Sequence, residues 1–338
     1  MTNRPAGCAI QRPPMPAPAV SVAIATRGRP AWCAEAVASV PAAAEGLPVE
    51  VVVAVDGGDA APEPALRALA AAGRCRLVEA PAAGGAATRN AALREAAAAW
   101  VCVLDDDDRL APGALARLRA RADGDAEAVG VAGRVEGFRE AGGPPIALGT
   151  LPDTDAIGFD DLVIGDPVVS LGSALLRTDA VRAAGGFDAS LRIVEDWDLL
   201  LKLCRGRRLR LEPSVTLHYR LHAGNGSVSD PSETLRQSLR LLKRHARDEP
   251  AAVRAAAAVN LMRWVGRPVF RGVHERMARL ACEGLDADWI LLARLYAFGG
   301  RDPRLLRLAG ETLTRPRPAP GQERRAPRAV PGPPAAQA

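Results

Sequence analysis

The chain reads as a doubly wound α/β protein with a mostly parallel sheet and a helical C-terminal extension. Three observations predict this. Short, nearly continuous apolar runs alternate with helix-length stretches from Val20 to Leu104. Such runs fit strands buried on both faces of a parallel sheet, and the alternation is that of successive strand–helix–strand units. Polar residues stand just after the runs at Thr26, Asp56 and Asp105, where open α/β sheets bind ligands, beyond the carboxyl ends of their strands. After about Pro231 only helical patterns remain.

In chain order, residues 1–18 hold five prolines and read as a disordered leader. A first strand is expected over Val20–Ala25 and a helix over Ala31–Val40. Val49–Val55 is a second strand, followed by another helix and a third short strand at Arg76–Glu79. A helix over Ala86–Ala98 leads to a fourth strand, Trp100–Leu104. A fifth runs over Ala128–Phe138, before the loop Gly142-Gly143-Pro144-Pro145. Residues 19–230 form the expected main domain, 231–314 a basic helical extension, and 315–338 a Pro- and Arg-rich disordered tail.

Composition narrows the functional classes. The chain has 338 residues, 48% of them hydrophobic, enough for a sizeable core. Aromatic residues make up only 4%, which argues against stacking platforms for single-stranded nucleic acid. The net charge of +5 hides a split: residues 1–200 carry −9 and residues 201–338 carry +14. No run is long and apolar enough to span a membrane. The six cysteines are scattered without a CxxC pair, against a zinc or dithiol site. With no apolar export signal at the N-terminus, a cytoplasmic location is expected.

The sharpest feature is Leu104-Asp105-Asp106-Asp107-Asp108. Four adjacent carboxylates repel one another unless something compensates them. Along an extended chain, Asp105 and Asp107 point to one side and Asp106 and Asp108 to the other. One pair can then converge on a divalent cation while the other caps the next helix or turn. All-oxygen ligation suits Mg²⁺ or Mn²⁺, which commonly bridge to substrate phosphates.

These residues belong to an ordered set of motifs. Ser21-Val22-Ala23-Ile24-Ala25-Thr26 with Arg29-Pro30 is followed by Val53-Ala54-Val55-Asp56-Gly57-Gly58 and by Gly84-Gly85-Ala86-Ala87-Thr88-Arg89-Asn90. Next come Val103 to Asp108, then Gly185-Gly186-Phe187-Asp188, then Glu195-Asp196-Trp197-Asp198-Leu199. Together they resemble the family 2 glycosyltransferases of the Rossmann-like GT-A fold, over roughly residues 20–228. The resemblance implies transfer of a sugar from a nucleotide-diphosphate sugar, a UDP-sugar first among them, to an acceptor hydroxyl with inversion. It implies that Thr26, Asp56 and Arg89 border the nucleotide, and that Asp105 and Asp107, with Asp106 between them, hold Mn²⁺ or Mg²⁺ and the donor. Asp196 would be the general base. The chain departs from the family pattern at Val55, Gly58 and Ala82, which bears on the choice of base rather than on the metal and base positions.

Around Asp196 the residues leave alternatives. Glu195 is either an acceptor-side group or, like Asp198, an N-terminal cap for a helix over Leu199–Leu203. Trp197 either stacks on a sugar or anchors the core. The segment His218 to Ser227 resembles the family's stretch that returns to the diphosphate. That implies His222 as a metal or phosphate ligand and Arg220 as a phosphate clamp, with His218 a weaker candidate. Leu235, Leu239 and Leu242 share a helical face flanked by Arg236, Arg240, Lys243, Arg244 and Arg247. This amphipathic pattern suits either docking on an anionic partner, such as the inner face of a membrane, or packing against the acidic domain. Two other classes stand against the transferase: a degenerate sugar-nucleotide-binding protein, and a nucleic-acid-binding protein acting through the basic half. The sequence names no acceptor.

Overall fold

The computed structural model of the chain describes residues 17–57, 63–149, 151–222, 224–225, 231–246 and 249. Its frame is a ten-stranded sheet. One half consists of β1 (Val20–Thr26), β2 (Val49–Gly57), β3 (Arg76–Pro81) and β4 (Trp100–Asp105), ordered β3-β2-β1-β4 and parallel throughout. The other half is built on β6 (Ala128–Phe138) and β10 (Arg208–Arg220), again parallel to each other. β9 (Ala174–Arg177) joins the halves, antiparallel to both β4 and β6. The short strands β5 (Arg109–Leu110), β7 (Ile146–Leu148) and β8 (Ala156–Ile157) add antiparallel pairings to β10, β6 and β10 respectively.

Helices cover both faces. α1 (Pro30–Ala44), α2 (Pro64–Ala71) and α4 (Ala114–Asp123) pack on one side. α3 (Gly85–Glu95), α6 (Thr178–Ala183), α7 (Glu195–Leu203) and α8 (Pro231–Ala246) pack on the other, with α5 (Phe159–Ile164). Alternate residues of β1 divide between the layers, Val22 and Ile24 facing one and Ala23 the other. Having both faces buried is the physical reason these strands read as unbroken apolar runs. Register places Thr26 opposite Val55, and Ala25 opposite Asp105. The ends of β2, β1 and β4 therefore line up in one crevice.

The expected elements are present, and several of their boundaries are shifted. α1 continues through Pro41 to Ala44. The ring removes one hydrogen bond in the last turn, but Ala43 and Ala44 gain burial in the core beneath α1. α3 stops at Glu95 rather than Ala98. There the amide of Ala97 donates to Glu50 Oε1 (2.6 Å) and that of Ala98 to Ser21 Oγ (3.0 Å). Side-chain acceptors thus take the amides that a longer helix would use. α7 begins at Glu195, after Val194, whose side chain makes no capping bond. Neither Glu195 nor Asp198 is the cap that the sequence allowed. Of the basic extension the structure describes α8, and the expected later helices and the tail lie outside the described residues, as does the leader before residue 17.

Close approaches explain several glycines. A Cβ on Gly130, near the start of β6, would meet the carbonyl oxygen of Leu175 at 2.6 Å and the side chains of Leu176 and Leu209 at 2.7 and 3.0 Å. Gly130→Ala is therefore expected to overpack the β6–β9 contact and cost about 1–3 kcal/mol. Urea unfolding would show this as a lower midpoint at an unchanged slope.

Candidate active site

The crevice at the strand ends opens into a cleft of about 390 Å³. Its lining includes Thr26, Asp56, Arg89, Asp105, Asp106 and Asp107 on the strand side, with Glu195 and Asp196 at the start of α7. Residues 170 positions apart in the chain thus share one chamber.

The aspartate run turns as it leaves β4. The amide of Asp108 donates to the carbonyl of Asp105 (3.2 Å), which ends the two-sided alternation expected of an extended chain. Asp105 and Asp107 come together as expected, and Asp108 joins them. One carboxylate oxygen from each of the three lies within 4.8 Å of the others. Asp106 departs from this group and is buried, accepting from Thr26 Oγ1 (2.7 Å) and pairing with Arg29 (2.5 Å). Burial lifts its pKa to about 6, against the pull of Thr26 and Arg29. Asp108 is raised well above the usual range by burial and by Asp105 and Asp107.

Cationic groups from distant elements meet this cluster. Arg29, at the start of α1, also pairs with Asp107. Arg89 of α3 donates to Asp105 Oδ1 (2.6 Å) and to Glu195 Oε1 (2.8 Å), joining the two walls of the cleft. Burial opposes its charge, but Asp105 and Glu195 outweigh burial and hold it protonated. His222 Nε2 lies 3.0 Å from Asp107 Oδ2. Each of the three clustered carboxylates thus has one oxygen engaged by the protein: Asp105 by Arg89, Asp107 by Arg29 and His222, and Asp108 by the amide of Arg220 (2.9 Å). Asp108 Oδ2 is buried with no hydrogen-bond partner. An orphaned carboxylate oxygen beside two others is an acceptor set that fits a hard divalent cation.

Two expected roles do not match the placement. Arg220 is fully buried beneath the turn and is absent from the cleft wall. Its Nε donates to the carbonyl of Asp107 (2.7 Å), and its guanidinium pairs with Glu35 (2.6 Å) and Glu140. It holds the aspartate turn from behind rather than clamping a phosphate. Trp197 is 3% exposed and donates from Nε1 to the carbonyl of Leu162 (2.9 Å), so it anchors the core and offers no stacking face. His218 stands outside the cleft, 3.9 Å from Glu136.

The wall that carries Asp196 is assembled differently. Asp196 is half-buried and accepts from the amide of Trp197 (2.7 Å). Burial, then Glu195 and Asp166, push its pKa well above the usual carboxylate range. Asp166, on the segment after α5, is itself raised to about 7 by burial. The turn Gly185-Gly186-Phe187 is fastened to α3 by Asn90, which exchanges hydrogen bonds with the backbone of Phe187 (2.8 and 2.9 Å). Gly186 has φ +67°, and a Cβ there would strike the Asn90 amide at 2.4 Å.

α8 supports the same wall. Gln237 is buried, and its Oε1 accepts from the amides of Arg192 (2.8 Å) and Ile193 (3.2 Å), both residues of the cleft lining. Asp198 of α7 is fully buried between Lys202 (2.6 Å), His245 (2.8 Å) and Arg244 (3.5 Å). Arg29, Asp166, Gln237 and the loop residue Asn225 carry no assignment from the sequence. Arg29 and Asn225 stood inside recognised segments and Gln237 on the amphipathic helix, whereas Asp166 lies in a stretch with no residue pattern to single it out.

Comparison with known proteins adds the following. Residues 21–183 match the family model described as glycosyl transferase family 2. The uncharacterized glycosyltransferase YwdF of Bacillus subtilis (strain 168) is 26% identical over 205 residues, 56% of this chain and 75% of YwdF. The succinoglycan biosynthesis protein ExoO of Rhizobium meliloti (strain 1021) is 33% identical over 201 residues, and the match spans just over half of each protein, 55% and 56%. Crystal structures of S. aureus TarS 1–349 with UDP-GlcNAc and with UDP superpose with TM-scores of 0.57 and 0.50 at 16% identity. They cover 83% of this chain and 92% and 91% of those chains. At that identity the likeness is one of fold, and the fold is GT-A, as the motifs implied.

The role of α8 can be tested away from the chemistry. Gln237→Ala strands two loop amides and is expected to cost about 1–3 kcal/mol. Thermal unfolding of the full chain would register it, and hydrogen exchange should rise at Arg192 and Ile193 more than in β1–β4.

Proposed function

We propose, from the match of residues 21–183 to the glycosyl transferase family 2 model, that the enzyme transfers a sugar from a nucleotide-diphosphate sugar to an acceptor hydroxyl with inversion at the anomeric carbon. One observation carries this reading: Asp105 and Asp107 of the carboxylate cluster and a separate carboxylate of raised pKa, Asp196, line the same cleft. A UDP-sugar is the first donor to consider, since the TarS structures of the same fold hold UDP-GlcNAc and UDP.

Asp105, Asp107 and Asp108 are the residues that would hold Mn²⁺ or Mg²⁺. The ion would supply positive charge where the departing diphosphate gathers negative charge. Thr26 and Asp56, at the ends of β1 and β2, border the space for the nucleoside. Arg89 ties Asp105 to Glu195, so that the donor wall and the base wall keep a fixed separation. Asp196 in its ionised form takes the proton of the acceptor hydroxyl. The hydroxyl oxygen bonds to the anomeric carbon as the bond to the diphosphate oxygen breaks, and the electron pair leaves with the diphosphate. Attack from the face opposite the leaving group inverts the centre. The degenerate alternative loses ground because Asp105, Asp107 and Asp196 are all retained in one cleft. No helix among the described residues is long and apolar enough to cross a membrane. Arg240 and Lys243, on the exposed side of α8, are the groups through which the basic extension would meet an anionic partner or the inner membrane face.

Two experiments test the assignment. Release of nucleoside diphosphate from a panel of UDP-, GDP- and dTDP-sugars, with Mn²⁺ and without acceptor, is expected for at least one donor. In that assay Asp107→Ala should fall to background. Asp196→Asn should bind donor as the wild type does but lose ~10²–10⁴-fold in transfer. Undiminished turnover by both variants would sink the reading. The second experiment follows the pH dependence. A base works only when ionised, so kcat/KM rises with pH through its pKa. Asp166→Asn removes a neighbouring negative charge, eases ionisation of Asp196 and should move the acid limb of the profile to lower pH.

A further inference from the structure

Arg29 is a basic residue of the donor wall to which neither the sequence reading nor the proposed mechanism gives a role. Its place is distinctive. It stands on the β1–α1 connection, three residues beyond Thr26, at the mouth of the strand-end crevice. Its guanidinium forks across Asp106 Oδ1 (2.5 Å) and Asp107 Oδ2, with the Trp32 ring 5.7 Å away on its flank. Arg89 and Arg220 also serve the aspartates, but in another way. Arg89 is closed at both ends, by Asp105 and Glu195, and Arg220 is fully buried behind the turn. Arg29 keeps 39% of its side chain exposed, on the cleft side of the carboxylates.

The chemistry of that position is specific. A guanidinium that grips two carboxylates offers the same planar fork to a phosphate. A divalent cation on Asp105, Asp107 and Asp108 would neutralise the charge that now retains Arg29. A diphosphate arriving with the cation would offer the guanidinium a fresh anion a short distance away. We propose that Arg29 is a diphosphate-binding residue of the donor site, held on Asp106 and Asp107 until nucleotide and metal arrive, so that the two bind in a mutually dependent way. The inference rests on the donor reading above and adds a residue and a binding order to it. Without nucleotide, Arg29 and a divalent cation compete for the same negative charge. With nucleotide, Arg29 moves to the diphosphate and the competition ends. Coupling of this kind is reciprocal, so the nucleotide tightens the metal as much as the metal tightens the nucleotide.

The test uses the full chain and the Arg29→Gln and Arg29→Lys variants. Calorimetry measures binding of UDP and of uridine, each with and without Mn²⁺, and electron paramagnetic resonance measures Mn²⁺ binding alone. In the wild type, Mn²⁺ should tighten UDP and leave uridine nearly unchanged. In Arg29→Gln, UDP with Mn²⁺ should weaken ~10-fold or more, the scale of a charge-assisted hydrogen bond, while uridine is unaffected. Mn²⁺ alone should bind several-fold more tightly, because its competitor is gone, and Arg29→Lys should recover part of the UDP affinity. An unchanged UDP-to-uridine ratio in Arg29→Gln overturns the proposal. So does a loss of UDP, uridine and Mn²⁺ binding together, which would mark Arg29 as a strut of the aspartate turn. A wild type that binds no nucleoside diphosphate with Mn²⁺, tried with UDP, GDP, CDP and dTDP, removes the donor reading itself.

Discussion

Mutual repulsion among Asp105, Asp106, Asp107 and Asp108 is the constraint around which the rest of this structure is arranged. Four carboxylates at the mouth of a buried strand are tolerable only if the chain brings compensation to them. It does so from four separate places: Arg29 at the start of α1, Arg89 on α3, the end of β10 at Arg220, and His222 just beyond it. None of these is near the aspartates in sequence, so the sheet must close in its observed order before the cluster is stable. The parallel pairing of β10 with β6 and the antiparallel pairing of β5 with β10 deliver Arg220 to the back of the turn. The fold and the site are therefore linked by the same charges.

The division between an acidic first 200 residues and a basic remainder acquires a structural meaning in this light. Within the described residues, several basic groups of the later segment reach back onto acids of the domain. Arg220 takes Glu35 and Glu140, and Lys202, Arg244 and His245 surround Asp198. Arg244 also pairs with Asp188, whose pKa is lowered to about 2 by the Ser190 hydroxyl and by this arginine. α8 thus packs against the acidic domain, one of the two readings its amphipathic pattern allowed. Gln237 extends the contact to the loop ahead of Asp196. The apolar stripe alone reveals the helix but not this work, because the deciding contacts are polar and point to backbone amides.

What was legible in the sequence follows the same physics. β1, β2 and β4 are buried on both faces, and that burial writes an unbroken apolar run into each. The ends of those runs located Thr26, Asp56 and Asp105 before any coordinates. β5, β7, β8 and β9 span two to four residues, too few to establish a period, and they stayed invisible. Residue type suggested that Arg220 and Trp197 meet ligands, but type does not encode direction. Arg220 follows the inward face of β10, and Trp197 points from the buried side of α7 toward Leu162. The fourth aspartate was misplaced for a related reason. Strand alternation was carried one turn too far, past the point where the Asp108 amide closes on Asp105.

The two walls of the cleft compensate their carboxylates differently. On the donor wall, Arg29, Arg89 and His222 sit directly on the oxygens of Asp105, Asp106 and Asp107. On the opposite wall, Arg89 engages Glu195, while Asp196 has the amide of Trp197 as its near donor and the carboxyl groups of Glu195 and Asp166 as its neighbours. Burial with like charge and little direct compensation favours the protonated form. Side-chain cations are thus concentrated on one side of a shared chamber, while Asp196 on the other side is compensated mainly by a backbone amide. A transferase needs both, since charge leaves with the diphosphate while a proton leaves the acceptor. Arg89, touching both walls, carries a change at either to the other.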